Sequence, residues 1–433
     1  MRLINISTAL NILKILYNLG IRLYYNITGL VGCFNAKAAK FHEGRKGLLS
    51  SIAEKVNGSS PVIWFHCSSV GEFEQARPII EWYRKQGSGY KILVTFFSPS
   101  GYELRKNYPE ADWVFYLPVD TLSNVKQFLD IVKPVKAIFI KYEFWYNYLH
   151  ELKKRGVETY LVSAIFRSSQ PFFKWYGGFF KSMLECFTVM FVQDEQSAAL
   201  LAGAGFKDNV FIAGDTRFDR VYEITRNSRK FPIIEKFTSD STVLIAGSTW
   251  QPDEKIIAQV LKNFSKIKLV IAPHETDKAR IDEVEKTFSD YKCVRFSWFD
   301  EKMHRTLDEV YEKIEKSDVL IIDCIGILSS LYRYGNMAYI GGGFGVGIHN
   351  ILEAATYGIP VMFGPNYKKF KEAVDLVKCG GALHLMDEKG LYSIIGNFAK
   401  HPESFESMGE ICTSYVKSNL GATEMIVKSI EKL

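Results

Sequence analysis

The sequence predicts an α/β protein built from two doubly wound parallel-sheet domains, and three observations carry that expectation. From residue 61 onward, short β-branched apolar runs alternate with helical patterns, the signature of parallel strands joined by covering helices. After a polar, charged passage near 220–240 the alternation restarts, so a second sheet is expected beyond it. At 433 residues the chain is too long for one ordinary domain and comfortable for two. The expected divisions are an N-terminal segment at 1–46, a first domain at 47–230 and a second at 231–433. The last helix is allowed to return to the first domain.

In chain order, the first-domain strands are expected at Val62–Cys67, Lys91–Phe96, Lys136–Lys141, Glu158–Ser163, Thr188–Gln193 and Val210–Ala213. Helical patterns at Glu74–Gln86, Asn124–Ile131 and Tyr146–Arg155 lie between them. The second set of strands is expected at Thr242–Ala246, Ile267–Ala272, Cys293–Phe296, Asp318–Ile322, Met337–Ile340 and Pro360–Phe363.

A 47% hydrophobic and 24% charged composition is that of a folded chain. The net charge of +6 is spread among acidic residues, with no basic stripe interleaved with aromatic platforms, which excludes a nucleic-acid reading. That mild positive bias fits anionic lipid or phosphorylated substrates better. Seven scattered cysteines without a C-x-x-C pair argue against zinc or a disulfide framework and read as buried small hydrophobes.

Residues 4–34 are apolar and aromatic but broken by Lys14, Arg22 and several asparagines, so no uncharged stretch reaches the ~18–20 residues that spanning requires. Three readings stay open: a marginal membrane helix, an in-plane amphipathic anchor, or a helix packed on the protein. The basic residues that follow, Lys37, Lys40, Arg45 and Lys46, suit a cytoplasmic leaflet.

In doubly wound sheets, ligands bind beyond the carboxyl ends of the strands, and with two sheets a cleft between the two loop sets is the expected active site. Ser69-Val70-Gly71-Glu72 follows the first strand. Glu72 reads either as a first-turn complement to the helix dipole or as a base whose pKa a cleft would raise. Ser98-Pro99-Ser100-Gly101 reads as a phosphate or sugar contact, or as a plain helix cap. Glu143 ends an apolar strand, an expensive place for an unpaired acid, so it calls for a functional role or a paired Arg or Lys, with Arg167 and Arg217 as candidate partners. Arg217 is placed either to neutralise a leaving phosphate or to pair with Asp219.

In the second half, Gly247-Ser248-Thr249 resembles a phosphate-cradling turn, and Pro273-His274 follows the next strand. The strongest signal is the run from Gly341 to Ala355, with five glycines between a strand and a helix, whose amides and helix N-terminus suit a phosphate and whose Glu353 suits sugar hydroxyls. It is not a dinucleotide fingerprint, because no acidic residue follows the next strand.

Together these loops resemble the 3-deoxy-D-manno-octulosonic acid (Kdo) transferases of Gram-negative lipopolysaccharide synthesis, glycosyltransferase family 30. The resemblance also rests on Leu117-Pro118-Val119-Asp120, Glu143-Phe144-Trp145-Tyr146-Asn147 and Arg167 with its serines, and it runs over nearly the whole chain. It implies a GT-B fold, two Rossmann-like domains facing across a cleft, with an N-terminal membrane-associated helix. It implies inverting transfer of Kdo from CMP-Kdo to the lipid A precursor lipid IVA at the cytoplasmic face of the inner membrane, with no metal and no cofactor. Carried over by motif, Glu72 is the general base, and Glu143 and Arg217 stabilise the transition state. Pro273, His274, Ile325, Gly326, Ile327, Asn350, Ile351, Leu352 and Glu353 contact CMP. Departures exist: the family usually has Pro-Arg-His where this chain has Pro273-His274, and Gly-Glu-Leu where it has Gly326-Ile327-Leu328, so Ile327 offers only backbone. The alternatives are another GT-B enzyme using a UDP-sugar, an epimerase of that fold, or a non-catalytic nucleotide-sugar binder.

Overall fold

The computed structural model describes residues 6–56, 60–299 and 307–432. Residues 1–5 of the expected N-terminal segment lie outside the described residues. The chain divides into two compact units, Met1–Asp219 with Gly421–Leu433, and Arg220–Leu420.

The first unit holds seven parallel strands: β1 Val62–Cys67, β2 Lys91–Phe96, β3 Trp113–Tyr116, β4 Pro134–Ile140, β5 Glu158–Ala164, β6 Val189–Val192 and β7 Val210–Ile212. Their order across the sheet is β3-β2-β1-β4-β5-β6-β7. The second unit repeats the design with β8 Thr242–Thr249, β9 Ile267–Pro273, β10 Cys293–Arg295, β11 Val319–Ile321, β12 Met337–Ile340, β13 Val361–Phe363 and β14 Ala382–His384, in the order β10-β11-β9-β8-β12-β13-β14. The two strands the sequence reading missed, β3 and β14, are both sheet edges. They are four and three residues long, and so short a run does not by itself distinguish a strand from a helix. Gly247-Ser248-Thr249, expected as a turn, is the end of β8.

Each strand order reverses direction once, between β1 and β4 and between β8 and β12. At such a switch point the two adjacent loops diverge to opposite faces and leave a crevice. The loops beside the first crevice carry Glu72 and Glu143; those beside the second carry Trp250 and the glycine-rich run.

Seven helices accompany the early part of the chain: α1 Ile6–Val31, α2 Ala36–Glu43, α3 Leu48–Lys55, α4 Val70–Lys85, α5 Pro99–Arg105, α6 Leu122–Val132 and α7 Tyr146–Lys154. Helix α1 is fixed to the first unit at one polar point. The Tyr17 hydroxyl donates to Asp120 Oδ2 at 2.6 Å, and Asn147 Nδ2 donates to Asn18 Oδ1 at 3.0 Å. Asp120 also accepts the amides of Asn147 and Tyr148 at 3.1 Å, capping α7. The rest of α1 exposes a stripe of Ile12, Leu16, Leu19, Leu23, Ile27 and Leu30, spaced three and four apart. Among the described residues no helix is long and apolar enough to cross a membrane.

Arg45, expected among the membrane-facing basic residues, is instead buried. Its guanidinium donates to the carbonyls of Leu117, Phe41 and Phe97 at 2.8–2.9 Å and lies over the rings of Phe41, Phe97 and Tyr116. The cysteines are all free, but only Cys67, Cys186 and Cys412 are buried, and Cys33 and Cys379 are exposed. The uniform buried-hydrophobe expectation therefore fails for the others.

The last helix, Ala422–Lys432, returns to the first unit. Ile426, Val427 and Ile430 are fully buried in the core beneath β1, β2 and β4, each worth roughly 1.5–3 kcal/mol. Tyr83 donates to Glu431 at 2.7 Å, and the Lys136 ammonium donates to the Ile430 carbonyl at 2.9 Å.

Burial raises the Asp120 carboxyl to about 7, against the lowering effect of its three donors. The folded state thus holds a proton that the unfolded chain releases near pH ~4. The stability this group contributes is complete below that pH and is lost as pH rises through about 7. Chemical denaturation of wild type and Asp120→Asn should show a stability difference that narrows across that interval. Asp120→Ala, which strands three donors, should cost about 3 kcal/mol below pH ~4 and less as pH rises through about 7.

Candidate active site

The first crevice gathers charge. Ser69 precedes α4, and its amide and hydroxyl both donate to Glu72 Oε2, at 2.7 and 3.1 Å. Glu72 thus reaches back to the N-cap as in a capping box, so the helix-start reading of Glu72 is correct as far as it goes. Both bonds end on one oxygen; among the described residues Oε1 takes none. The carboxyl is half-buried, and burial, then the nearby Glu143 charge, push its pKa up against the Ser69 bonds and the Lys141 charge.

Glu143 follows β4 and is 7% exposed. Neither candidate, Arg167 or Arg217, is its hydrogen-bond partner. Glu143 Oε2 accepts from the Trp145 indole at 2.8 Å and meets His66 Nε2 at 2.9 Å. On the far side of that ring, Nδ1 lies 2.9 Å from Thr95 Oγ1, which itself accepts from the Trp64 indole at 2.8 Å. Nδ1 also lies 3.2 Å from the Thr95 carbonyl, and the Trp145 indole lies 3.1 Å from Nε2, so the ring bridges Thr95 and the Glu143–Trp145 pair. His66 sits at the end of β1, and its sequence signal was a lone polar residue in a run of buried apolar ones.

Arg217 pairs with Asp215 rather than Asp219. Its Nε and Nη2 reach Asp215 Oδ2 at 2.9 and 2.7 Å, and its amide donates to Oδ1 at 2.9 Å. Burial pushes the Asp215 carboxyl up, but the Arg217 guanidinium and its hydrogen bonds outweigh burial and hold it below the usual range. Asp219 instead accepts the amides of Gly421 and Thr423, capping the last helix. Lys141, which sequence reasoning counted only as a strand end, acts electrostatically on both Glu72 and Asp215. It sits in a left-handed backbone conformation with φ 61° immediately after β4.

The serines of the Ser98 loop act as a cap: Ser98 Oγ accepts from the Gly101 amide at 3.2 Å and lies 3.3 Å from Ser100 Oγ. Arg167 is exposed, and its amide donates to Gln170 at 2.8 Å.

In the second unit, His274 is stacked between Trp250 and His349, with ring centroids 4.8 and 4.3 Å away. The Trp250 indole donates to His349 Nε2 at 3.1 Å, which leaves the neutral ring's proton on Nδ1. The glycine-rich run is less open than expected. The amides of Gly342, Gly345, Gly347 and His349 are already bonded, to Asp253 or within the loop. Gly341 is demanded by packing, since a Cβ there would meet the Ser248 carbonyl at 2.2 Å. The helix that follows is a single turn, Leu352–Ala355, so the expected dipole contribution to phosphate binding is weak.

Asn350 bonds both ways, donating to Glu353 at 3.1 Å and accepting from the Leu352 amide at 3.1 Å, while Ile351 and Leu352 are buried. Pro273 pairs in register with Thr249. Ile325, Gly326 and Ile327 follow β11 at the same sheet edge, with Ile325 82% exposed and Ile327 buried.

Burial, then the neighbouring His274 charge, lowers His349 to about 4. Nuclear magnetic resonance titration should find this ring neutral down to that pH, and His274→Ala should raise the midpoint.

A family model described as 3-deoxy-D-manno-octulosonic-acid transferase (kdotransferase) matches residues 42–220. Proteins of that name from Aquifex aeolicus and Haemophilus influenzae are 27% and 23% identical to the chain. The matches cover 76% and 92% of this chain and 83% and 93% of the relatives. Among solved structures, a UDP-GlcNAc 2-epimerase from Neisseria meningitidis aligns with TM-score 0.60 at 16% identity, covering 86% of this chain and 100% of that one. MurG from Acinetobacter baumannii aligns with TM-score 0.54 at 10% identity, with the same coverage. These structural likenesses bear on the fold alone.

Proposed function

We propose that the chain, which is similar to the 3-deoxy-D-manno-octulosonic acid transferases over most of its length, moves Kdo from CMP-Kdo to a hydroxyl of the lipid A precursor lipid IVA, with Glu72 as general base. The observation that carries the role of Glu72 is its oxygen asymmetry at a switch point: Oε2 is anchored by Ser69, and Oε1 is left to a substrate. Its raised pKa makes it the stronger base of an ordinary carboxyl.

In the proposed step the acceptor oxygen bonds to the anomeric carbon of Kdo as the bond from that carbon to the CMP phosphate breaks. The bonding pair leaves with CMP, the hydroxyl proton passes to Glu72, and the anomeric centre inverts without a metal. Glu143, held by His66 and Trp145, offsets positive charge developing on the sugar. Arg217, oriented by Asp215, offsets the charge of the departing phosphate. In the second unit Pro273 and His274, the backbone of Ile325, Gly326 and Ile327, and the stretch Asn350, Ile351, Leu352 and Glu353 contact CMP. The Nδ1–H of His349 is a further donor for its phosphate. The exposed stripe of α1 lies against the cytoplasmic face of the inner membrane, a mode that suits an amphipathic helix with few charges.

Glu72→Gln keeps an acceptor for Ser69 and should stay folded while kcat falls by ~10²–10⁴. Because the base must be deprotonated, wild-type kcat/KM should rise with pH through a midpoint above the usual carboxylate range. That limb should vanish in the variant. Thermal shifts with nucleotides should favour CMP over UDP, and a preference for UDP would return the chain to the epimerase-like alternatives. Leu16→Glu with Leu23→Glu should move the protein from the membrane pellet to the supernatant.

A further inference from the structure

A cavity of about 490 Å³ in the first unit plays no part in the chemistry above. Its polar lining comes from three places: Arg22 and Asn26 on α1, Arg45 and Ser50 around the start of α3, and Thr121 and Asn124 at the start of α6. The lining contains two arginines and no acidic residue. Arg45 is 8% exposed, and its three guanidinium nitrogens meet only carbonyl oxygens. The neighbouring groups that act on its charge are four tyrosines, with no Asp or Glu among them. A buried guanidinium without a carboxylate is unfavourable unless an anion joins it. Arg22 stands exposed at the same cavity and makes no ion pair among the described residues. Helix α6 is eleven residues long, has no acid in its first turn, and adds the positive end of its dipole.

We propose that this cavity binds a phosphate monoester carried by a lipid, in the transferase reading a phosphate of the acceptor. Two guanidinium groups match the double charge of a monoester, which a diester lacks. The cavity is of small-molecule size, larger than a bare phosphate requires. The lipid source follows from α1 itself: Leu19, Leu23 and Ile27 of the exposed stripe alternate along the helix with Arg22 and Asn26. An acyl chain on the stripe thus brings its headgroup to the cavity. The position also suits an acceptor. Arg45 donates to the Phe97 carbonyl, and the Phe97 ring packs 4.7 Å from Trp145, the residue that holds Glu143.

The test uses the full chain and phosphatidylcholine vesicles containing either phosphatidate, a monoester, or phosphatidylglycerol, a diester, at matched surface charge. Wild type should bind the phosphatidate vesicles more tightly. Arg22→Gln should lose about tenfold in affinity for phosphatidate and with it the preference. Lys14→Gln, which removes a charge from the same helix outside the cavity, should keep the preference. Equal binding of the two lipids by wild type, or equal losses in Arg22→Gln and Lys14→Gln, would overturn the site. Inorganic phosphate binding as tightly as the phosphatidate vesicles would overturn the lipid source. None of these measurements needs turnover, whereas product formation from CMP-Kdo judges the transferase reading, so the two failures are distinguishable.

Discussion

Two carboxylates reach the carboxyl edge of one parallel sheet after neighbouring strands, and the charge of Glu143 adds to burial in raising the pKa of Glu72. Each is compensated differently. Glu143 is buried and meets two partners on one oxygen, Trp145 and the His66 ring. Glu72 stays half-exposed and receives its two bonds from Ser69, while Lys141 offsets the charge on it. The asymmetry separates them: Glu143 is closed off by its partners, whereas Glu72 keeps an open oxygen and a raised pKa, the attributes a proton acceptor needs. Asp215 extends the pattern, since its pairing with Arg217 makes that guanidinium a positioned group.

The strand order makes this arrangement possible. In a sheet that winds outward from β1 in both directions, only the loops after β1 and β4 flank the crevice, and those loops carry the two acids. In the second unit the equivalent position holds Trp250 and the glycine-rich run, joined by the aromatic stack through His274. One design therefore yields a carboxylate pair in the first unit and a ring platform beside close-packed backbone in the second.

The central strands were legible in the sequence because burial on both faces writes an apolar run of definite length, as in Val62–Cys67 and Met337–Ile340. Loop position after each strand was legible for the same reason, and it located Glu72, Glu143 and His274. Partnership was not. An arginine was a candidate partner for Glu143 because a buried acid calls for a cation or a function, but an indole and an imidazole stand beside it instead. Arg45 read as a surface charge because nothing local marks a guanidinium that will reach the carbonyls of Leu117 and Phe97, far along the chain, as well as that of Phe41 one turn back. The glycine-rich run was overvalued for a related reason: glycines that bring backbone close to a ligand and glycines that bring backbone close to backbone leave the same letters.

The last helix has a consequence for how the molecule comes into being. Its three fully buried aliphatic side chains belong to a core whose other members lie before residue 192. During synthesis the first unit therefore emerges with an open seam along α4, leaving apolar surface around Tyr83 and Ile138 uncovered. The whole second unit must be translated before Ala422–Lys432 arrives to close it. The early half of the chain is thus the half whose completion comes last.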